Sequence, residues 1–116
     1  MAATPLPLLK GTVDILVLKG LTWGPMHCFG ISSWLESSSR GALGMDDSAM
    51  YQVLHRLEGR DLIEGEWGVT ENNRQARYYR LTTAGRRYLR AETEAWLRYS
   101  QSVTGVLTLT ARQAQG

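Results

Sequence analysis

The sequence predicts a mainly α-helical protein that carries a small two-stranded β hairpin. The chain has 116 residues, of which 43% are hydrophobic and 21% charged, and this is the composition of one ordinary globular domain. Apolar residues recur at helical spacing in three segments before residue 60 and in a longer segment after residue 82. Between these segments, two short runs with strand character flank a polar stretch, which is the pattern of a hairpin.

The first predicted helix covers residues 8–21. Apolar side chains cover most of its surface, so we expect it to be largely buried. The turn residues Trp23, Gly24 and Pro25 end it. A second helix is expected over residues 28–38, and a short loop rich in Ser and Gly follows it.

A third helix is predicted to begin at Asp46, because Asp46, Asp47 and Ser48 are good N-cap residues. The apolar residues that follow at helical spacing are Met50, Val53, Leu54 and Leu57. Residues 62–67 and 77–81 then have strand character, and the polar residues 68–76 between them predict a hairpin with a long tip.

The last predicted helix is the longest, and Thr82 is its expected N-cap. The predicted organisation is therefore a compact unit over residues 8–82, a C-terminal helix over residues 83–107 and a flexible tail over residues 108–116. Three helices, a hairpin and a further helix, in this order, are typical of a winged helix-turn-helix domain. In that fold the third helix enters a DNA groove and the hairpin, or wing, flanks it.

The charge distribution agrees with a nucleic-acid partner although the formal net charge is only +2. Residues 72–91 contain no Asp or Glu. The arginines in this window are Arg74, Arg77, Arg80, Arg86, Arg87 and Arg90. A basic patch is expected from them, and the alternative is a solvated face that serves only solubility.

Four segments resemble the PadR-like family of transcriptional regulators. They are LLKGTVDILVL, GPMHCFGI, SAMYQVLHRLEGRDLIEGEW and ENNRQARYYRLTTAGRRYL, and the resemblance extends from residue 8 to about residue 107. Cys28 and Phe29 depart from it, since the family usually has Gly-Tyr there. The resemblance implies a homodimeric winged-helix DNA-binding protein, commonly a repressor and sometimes relieved by small molecules. The short chain resembles the subgroup with a single C-terminal dimerisation helix.

The third helix is predicted to read DNA with the face opposite its apolar residues. That face presents Ser48, Tyr51, Gln52 and His55. Gln52 can pair with adenine edges, Ser48 and Tyr51 can bond phosphate oxygens, and His55 can do either. The alternative is a merely solvated helix face.

The wing is predicted to contact DNA through Asn73, Arg74 and Arg77, because a basic hairpin tip can grip a phosphate backbone or enter a minor groove. Asn73 and its neighbour Asn72 have the alternative role of supplying turn geometry. Of the aromatic residues nearby, Tyr79 is expected in the core, and Trp34 and Trp67 are likewise interpreted as packing residues.

The last helix is predicted to form a homodimer. Leu89, Trp96 and Val103 recur at intervals of seven, and Tyr99 and Val106 form a second row. The alternative is that this stripe covers only the core of its own chain. If Trp96 lies in the dimer seam, two indoles approach each other and a small flat aromatic effector could stack between them, the alternative there being ordinary interface packing.

Two other classes of function have weaker support. Catalysis by His27 and Cys28 is not expected, because adjacent residues do not generally face each other on a helix and no third orienting residue is evident. These two residues and His55 match no standard metal-ligand spacing, so neither a metal nor a cofactor is predicted. The alternative function is a winged helix that binds another protein and not DNA. With one cysteine and no apolar leader, we expect a cytoplasmic protein without a membrane partner.

Overall fold

A computed structural model describes residues 11–115 and confirms the mainly helical fold class. Residues 8–10, where the first helix was predicted to begin, lie outside the described residues. A 3₁₀ turn, Leu21–Trp23, follows the first helix. The elements in chain order are α1 (Thr12–Gly20), β1 (Met26–His27), α2 (Cys28–Ser38), α3 (Asp47–Gly59), β2 (Ile63–Val69), β3 (Gln75–Leu81), α4 (Thr83–Leu107) and α5 (Ala111–Gln115).

The sheet has three antiparallel strands in the order β1-β3-β2, which corrects the prediction of two strands. The added strand, β1, lies in the turn before α2, where Met26 is opposite Tyr79 and His27 is opposite Tyr78. Two residues are too few to give a periodic sequence signal. Because β1 pairs only with the middle of β3, it attaches the start of α2 to the hairpin.

The hairpin tip is shorter than predicted and covers residues 70–74. The backbone N–H of Thr70 donates to the Arg74 carbonyl at 2.8 Å, and the N–H of Asn73 donates to the Thr70 carbonyl at 2.9 Å. Asn73 has a φ of 59°, in the left-handed region where Asn is better tolerated than most residues. The alternative role of Asn73 as a turn residue is therefore observed, which leaves its contact with DNA a prediction.

Both predicted helix caps are confirmed. The Asp46 carboxylate accepts a hydrogen bond from the Ala49 backbone N–H at 2.8 Å, and the Thr82 hydroxyl accepts one from the Gly85 N–H at 2.9 Å. Such side chains satisfy N–H groups that have no partner within the helix. α3 and α4 therefore begin at positions set by local sequence.

The core lies where α1, α2 and α3 meet the inner face of the sheet. Tyr79 is only 5% exposed and Trp34 is half-buried, as predicted. Trp67 is 66% exposed, so the prediction that it packs is wrong. It lies opposite Arg77 in the outer part of the hairpin, which extends past the core. The largest fully buried side chains are Leu18, Leu21, Ile31, Met50, Leu54, Leu57, Ile63 and Val17.

α4 extends beyond the rest of the domain. Leu89 in its first half is 9% exposed and belongs to the core of its own chain. From Tyr99 to Leu107 no residue is buried. The radius of gyration is 17.1 Å, against about 13 Å for a compact domain of this length, as expected when one helix extends beyond the core.

The segment predicted to be a flexible tail, residues 108–116, contains the short helix α5.

Candidate nucleic-acid interface

The predicted DNA-reading face of α3 is exposed. Its apolar residues are buried, and the opposite side carries Ser48, Tyr51, Gln52 and His55, all of them exposed. Tyr51 leaves 56% of its surface accessible, although an aromatic ring in solvent gives up apolar burial. The face is therefore available to an external partner.

A groove separates α3 from the wing and brings together three of the predicted residues, Tyr51, Arg74 and Arg77. Its walls are residues 25–30, Tyr51, and the wing residues 70–72 and 74–78. Ser48, Gln52, His55 and Asn73 lie outside this lining. The exposed face of α3 and the basic wing thus border one concave surface.

The beginning of α2 forms the third wall of the groove, and this wall was not predicted from the sequence. His27 caps α2, since its Nδ1 accepts a hydrogen bond from the Gly30 N–H at 3.0 Å. Its ring stands edge-on to Tyr78, with centroids 5.3 Å apart, and Phe29 beside it is 66% exposed. The sequence signal that could have indicated this wall is that Cys28 and Phe29 depart from the Gly-Tyr usual in the family.

Arg77 is held in place on the wing. Its guanidinium donates to Glu58 on α3, with Nη2 2.5 Å from Oε2, and its carbon lies 5.9 Å from the Tyr79 ring centre. The hydrogen bond to Glu58 raises the pKa of Arg77. A side chain at Gly65 would meet the Arg77 Nε at 2.4 Å, so this glycine leaves the space that Arg77 occupies. Glu58 therefore compensates part of the positive charge predicted for the wing.

The remaining arginines differ in their pairing. Arg80 lies 2.8 Å from Glu64 in an exposed pair. Within residues 11–115, no ion pair is found for Arg74 at the exposed wing tip, nor for Arg86, Arg87 and Arg90 on α4. Of the arginines in the wing, residues 63–81, Arg74 is therefore the one for which the described structure shows no ion pair.

The Cys28 thiol is buried and does not share a hydrogen-bond partner with the adjacent His27. The Cys28 side chain is 3% exposed and its Sγ lies 3.8 Å from the backbone oxygen of Asp47. Burial, with a smaller contribution from the Asp47 charge, raises the pKa of Cys28 to about 11. The thiol therefore stays protonated at neutral pH, whereas the thiolate is the nucleophilic form.

Two features are absent from residues 11–115, the described part of the chain. Within it, no three His, Cys, Asp or Glu side chains come together in a group able to hold a metal ion. Among its helices, none combines the length and apolar character that crossing a bilayer requires.

The sequence matches a known family. The model of the transcriptional regulator PadR-like family aligns with residues 17–91, which is most of the chain. The chain belongs to this family. The matched residues run from the middle of α1 through the wing to the first third of α4, so they include all three walls of the groove.

Two solved structures and one further protein illustrate what this chain is similar to. A PadR-like transcriptional regulator from Bacillus cereus is 22% identical, with 88% of this chain and 97% of that chain covered and a TM-score of 0.76. A PadR family transcriptional regulator from Eggerthella lenta is 26% identical, with 87% and 86% covered and a TM-score of 0.72. The uncharacterized protein X of Lysinibacillus sphaericus is 24% identical over 89 residues, covering 77% of this chain and 82% of that protein.

As a PadR-like protein, the chain is a DNA-binding transcriptional regulator with a winged-helix fold. The earlier resemblance is thereby confirmed. The individual DNA-contacting and dimer-forming residues stay predictions.

Proposed function

We propose that this PadR-like protein is a repressor that binds a pseudo-palindromic operator as a homodimer. α3 enters the major groove with Gln52 and His55 directed at base edges, while Ser48 and Tyr51 bond phosphates. Arg74, Asn73 and Arg77 of the wing follow the adjacent backbone. A dimer bound over a promoter represses because it excludes polymerase from the DNA that it covers. Acting on chromosomal DNA places it in the cytoplasm.

The observation that carries this proposal is the groove itself. It joins Tyr51 of α3 to Arg74 of the wing on one concave surface. Phosphates carry one negative charge per nucleotide, and cations on a concave surface attract them more strongly than cations scattered over a convex one. Neither catalysis nor a cofactor is needed for this role, and the buried thiol of Cys28 supplies no nucleophile.

Selection of bound duplexes from a random DNA pool tests the operator. The expected result is two inverted half-sites about 34–36 Å apart, one helical turn, because a twofold axis relates the two α3 helices. Adding the protein should then lower transcription from a promoter that overlaps the selected site. An unsymmetric consensus, or increased transcription, would contradict the dimeric repressor.

The homodimer is supported by the exposed apolar row on α4. Trp96, Tyr99, Val103 and Val106 are 40%, 69%, 37% and 67% exposed. These residues lie on one side of the helix at intervals of three and four. Leu89 of the predicted row is buried in its own chain, so we propose that the partner covers only the row that begins at Trp96.

The test of the dimer uses two double variants of α4. Val103→Glu with Val106→Glu places charges in the apolar row, whereas Gln101→Glu with Thr104→Glu adds the same charge at exposed positions of α4 outside it. Sedimentation should give a monomer for the first variant and a dimer for the second. A dimer in both variants, or a monomeric wild-type protein at micromolar concentration, would contradict the assignment.

We also propose that a small flat aromatic effector releases the repressor from DNA at Trp96. A small apolar gap between α1 and α4 supports this, lined by Ile15, Leu16, Trp96 and Leu97 with two threonines. In a dimer joined through α4, the partner would extend these walls. The ligand regulates only if it prefers one spacing of the two α3 helices, since equal affinity for both spacings shifts nothing.

Fluorescence of Trp96 tests the effector. With Trp23, Trp34 and Trp67 replaced by Phe, Trp96 alone reports when planar cationic dyes and phenolic acids are titrated. Saturable quenching accompanied by loss of DNA binding is expected. If none of these compounds quenches Trp96 while dimer and DNA binding persist, Trp96 is an interface anchor only.

The alternative function is a protein-binding winged helix. Salt dependence separates the two, because DNA binding weakens linearly on a plot of log K against log salt, with a slope of about 0.9 per neutralised phosphate. A protein that binds no DNA at low salt would favour the alternative.

A further inference from the structure

Asp14 of α1 is the one charged side chain buried among residues 11–115, with 5% of its surface exposed. Its Oδ1 accepts a hydrogen bond from Nη2 of Arg56, and its Oδ2 lies 3.7 Å from Nη1 of Arg60. Arg56 is in the last turn of α3 and Arg60 caps its end. A carboxylate buried in α1 thus binds the end of the DNA-reading helix twice.

The same cluster reaches α4. The guanidinium carbon of Arg60 lies 4.8 Å from the centre of the Tyr88 ring. Arg60 therefore contacts α1 through Asp14 and α4 through Tyr88. One side chain at the end of α3 contacts both of the helices that border the Trp96 gap.

Such a cluster constrains the orientation of α3 in a way that the apolar core alone does not. Burying a carboxylate costs free energy unless it is paired, and replacing a buried ion pair by apolar residues is often neutral or stabilising. Hydrophobic packing is non-directional, whereas charge-assisted hydrogen bonds to arginine have a fixed geometry. The two contacts with Asp14 limit how far α3 can rotate about its axis or slide along α1.

α1 contacts both α3 and α4, the helix proposed to dimerise. Asp14 faces α3, while the next two residues, Ile15 and Leu16, line the gap beside Trp96. A shift of α4 that moves Ile15 or Leu16 also moves Asp14, because these three residues are consecutive in one helix.

We propose that Asp14 is a positioning residue for DNA recognition, which holds α3 at the rotation where its exposed face matches base edges. This inference rests on the proposed function. Loss of the carboxylate should leave phosphate binding intact, because the wing and the exposed arginines remain. It should weaken base readout, because Gln52 and His55 shift from their positions.

Asp14→Asn is the principal test, with operator affinity and non-specific DNA affinity measured on the full-length protein. The ratio of operator affinity to non-specific affinity should fall by about fivefold or more. A fall of this size corresponds to the loss of roughly one well-placed base contact. The salt slope for non-specific DNA should not fall. Glu36→Gln, an exposed residue on α2, is the control, because it makes the same charge change and should leave the ratio unaltered.

A role limited to stability gives a different result. Asp14→Asn would then lower the melting temperature, while the folded variant at 25 °C would keep its ratio of operator affinity to non-specific affinity within twofold of wild type. This result would overturn the proposal. Arg60→Lys provides a second variant that keeps the charge but loses the planar group spanning Asp14 and Tyr88. It should lower the ratio in the same direction, and an unchanged ratio in both variants would likewise overturn the proposal.

The proposed function and this inference can fail separately. If the wild-type protein shows no preference for any selected duplex over random DNA, the proposed function fails. If the wild-type protein has a clear preference and Asp14→Asn retains it in full, only the positioning role of Asp14 is refuted.

Discussion

Glu58 at the end of α3 and Arg77 in β3 form an ion pair that joins α3 to the wing, with 2.5 Å between Oε2 and Nη2. Their side chains are 31% and 32% exposed, so water reaches both. Ion pairs that water reaches add little to stability, because the solvent screens the two charges. The pair therefore affects the charge presented to DNA more than it affects folding.

Glu58→Gln should strengthen binding to DNA. The substitution removes the carboxylate that compensates Arg77 and releases that guanidinium for a phosphate. The slope of log K against log salt should steepen by up to about one counterion. Titrating a labelled duplex at four salt concentrations measures this slope.

Glu64→Gln is the matched control. Glu64 is paired with Arg80, but alternation along the strands places this pair on the opposite face of the hairpin. The control variant has the same net charge and should show a smaller change of slope. Equal slopes in the two variants would mean that only net charge matters and that Arg77 has no special place at the interface.

Arg74→Ala should weaken binding to all DNA sequences by a similar factor. Arg74 is exposed at the wing tip and borders the groove, so we expect it to neutralise one phosphate without reading a base. Its removal should lower the salt slope by about 0.9. Arg112→Ala, with the same charge change in α5, should leave the slope unaltered, and equal losses in both variants would contradict a specific wing contact.

Much of this interface could be predicted from sequence because it depends on local rules. The period of Met50, Val53, Leu54 and Leu57 determines which side of α3 is buried, and hence which side is exposed. The N-cap at Asp46 sets where α3 begins. Neither inference requires knowledge of how distant parts of the chain meet.

The contacts that could not be predicted from the sequence join residues that are far apart in the chain. Glu58 and Arg77 are 19 residues apart, and Asp14 and Arg56 are 42 apart. Both contacts depend on the angle at which α3 packs against β3 and α1, and residue spacing in the sequence does not predict that angle. Trp67 was misplaced for a related reason, because alternation predicts the face of a strand but not where the core beneath it ends.

Gly85→Ala should destabilise the protein. A β carbon at Gly85 would lie 1.9 Å from the carbonyl oxygen of Leu62, a backbone atom that cannot move without shifting β2. The cost of such crowding is typically about 1–3 kcal/mol, read as a lower midpoint in urea or a lower melting temperature.

Gly105→Ala is the control for this prediction, since it makes the same substitution in the same helix. A β carbon there meets nothing within 4 Å. Alanine should therefore stabilise α4 by up to about 1 kcal/mol through helix propensity. Equal stability of the two variants would contradict the close packing of Gly85 against the Leu62 carbonyl.

Cys28 should be unreactive in the folded protein and should make stability depend on alkaline pH. Its pKa is raised to about 11 from 9.0, so the folded state holds the thiol proton more tightly than the unfolded state. The contribution is fully present below pH 9 and is lost as pH rises towards 11. At pH 8, a thiol reagent should label the protein in urea roughly 100-fold faster than the folded protein, because the unfolded chain has the larger thiolate fraction.

Cys28→Ala isolates this effect from that of Tyr79, whose pKa is also raised by burial and which also titrates in alkaline solution. Between pH 9 and 11, urea unfolding of the alanine variant should lose less stability than that of the wild-type protein. Parallel curves for the two proteins, or rapid labelling of the folded wild type, would show that the thiol is accessible and not held beneath α3. Slow labelling with a steeper wild-type curve is the expected result, because burial of the thiol against the backbone of Asp47 opposes the charged form.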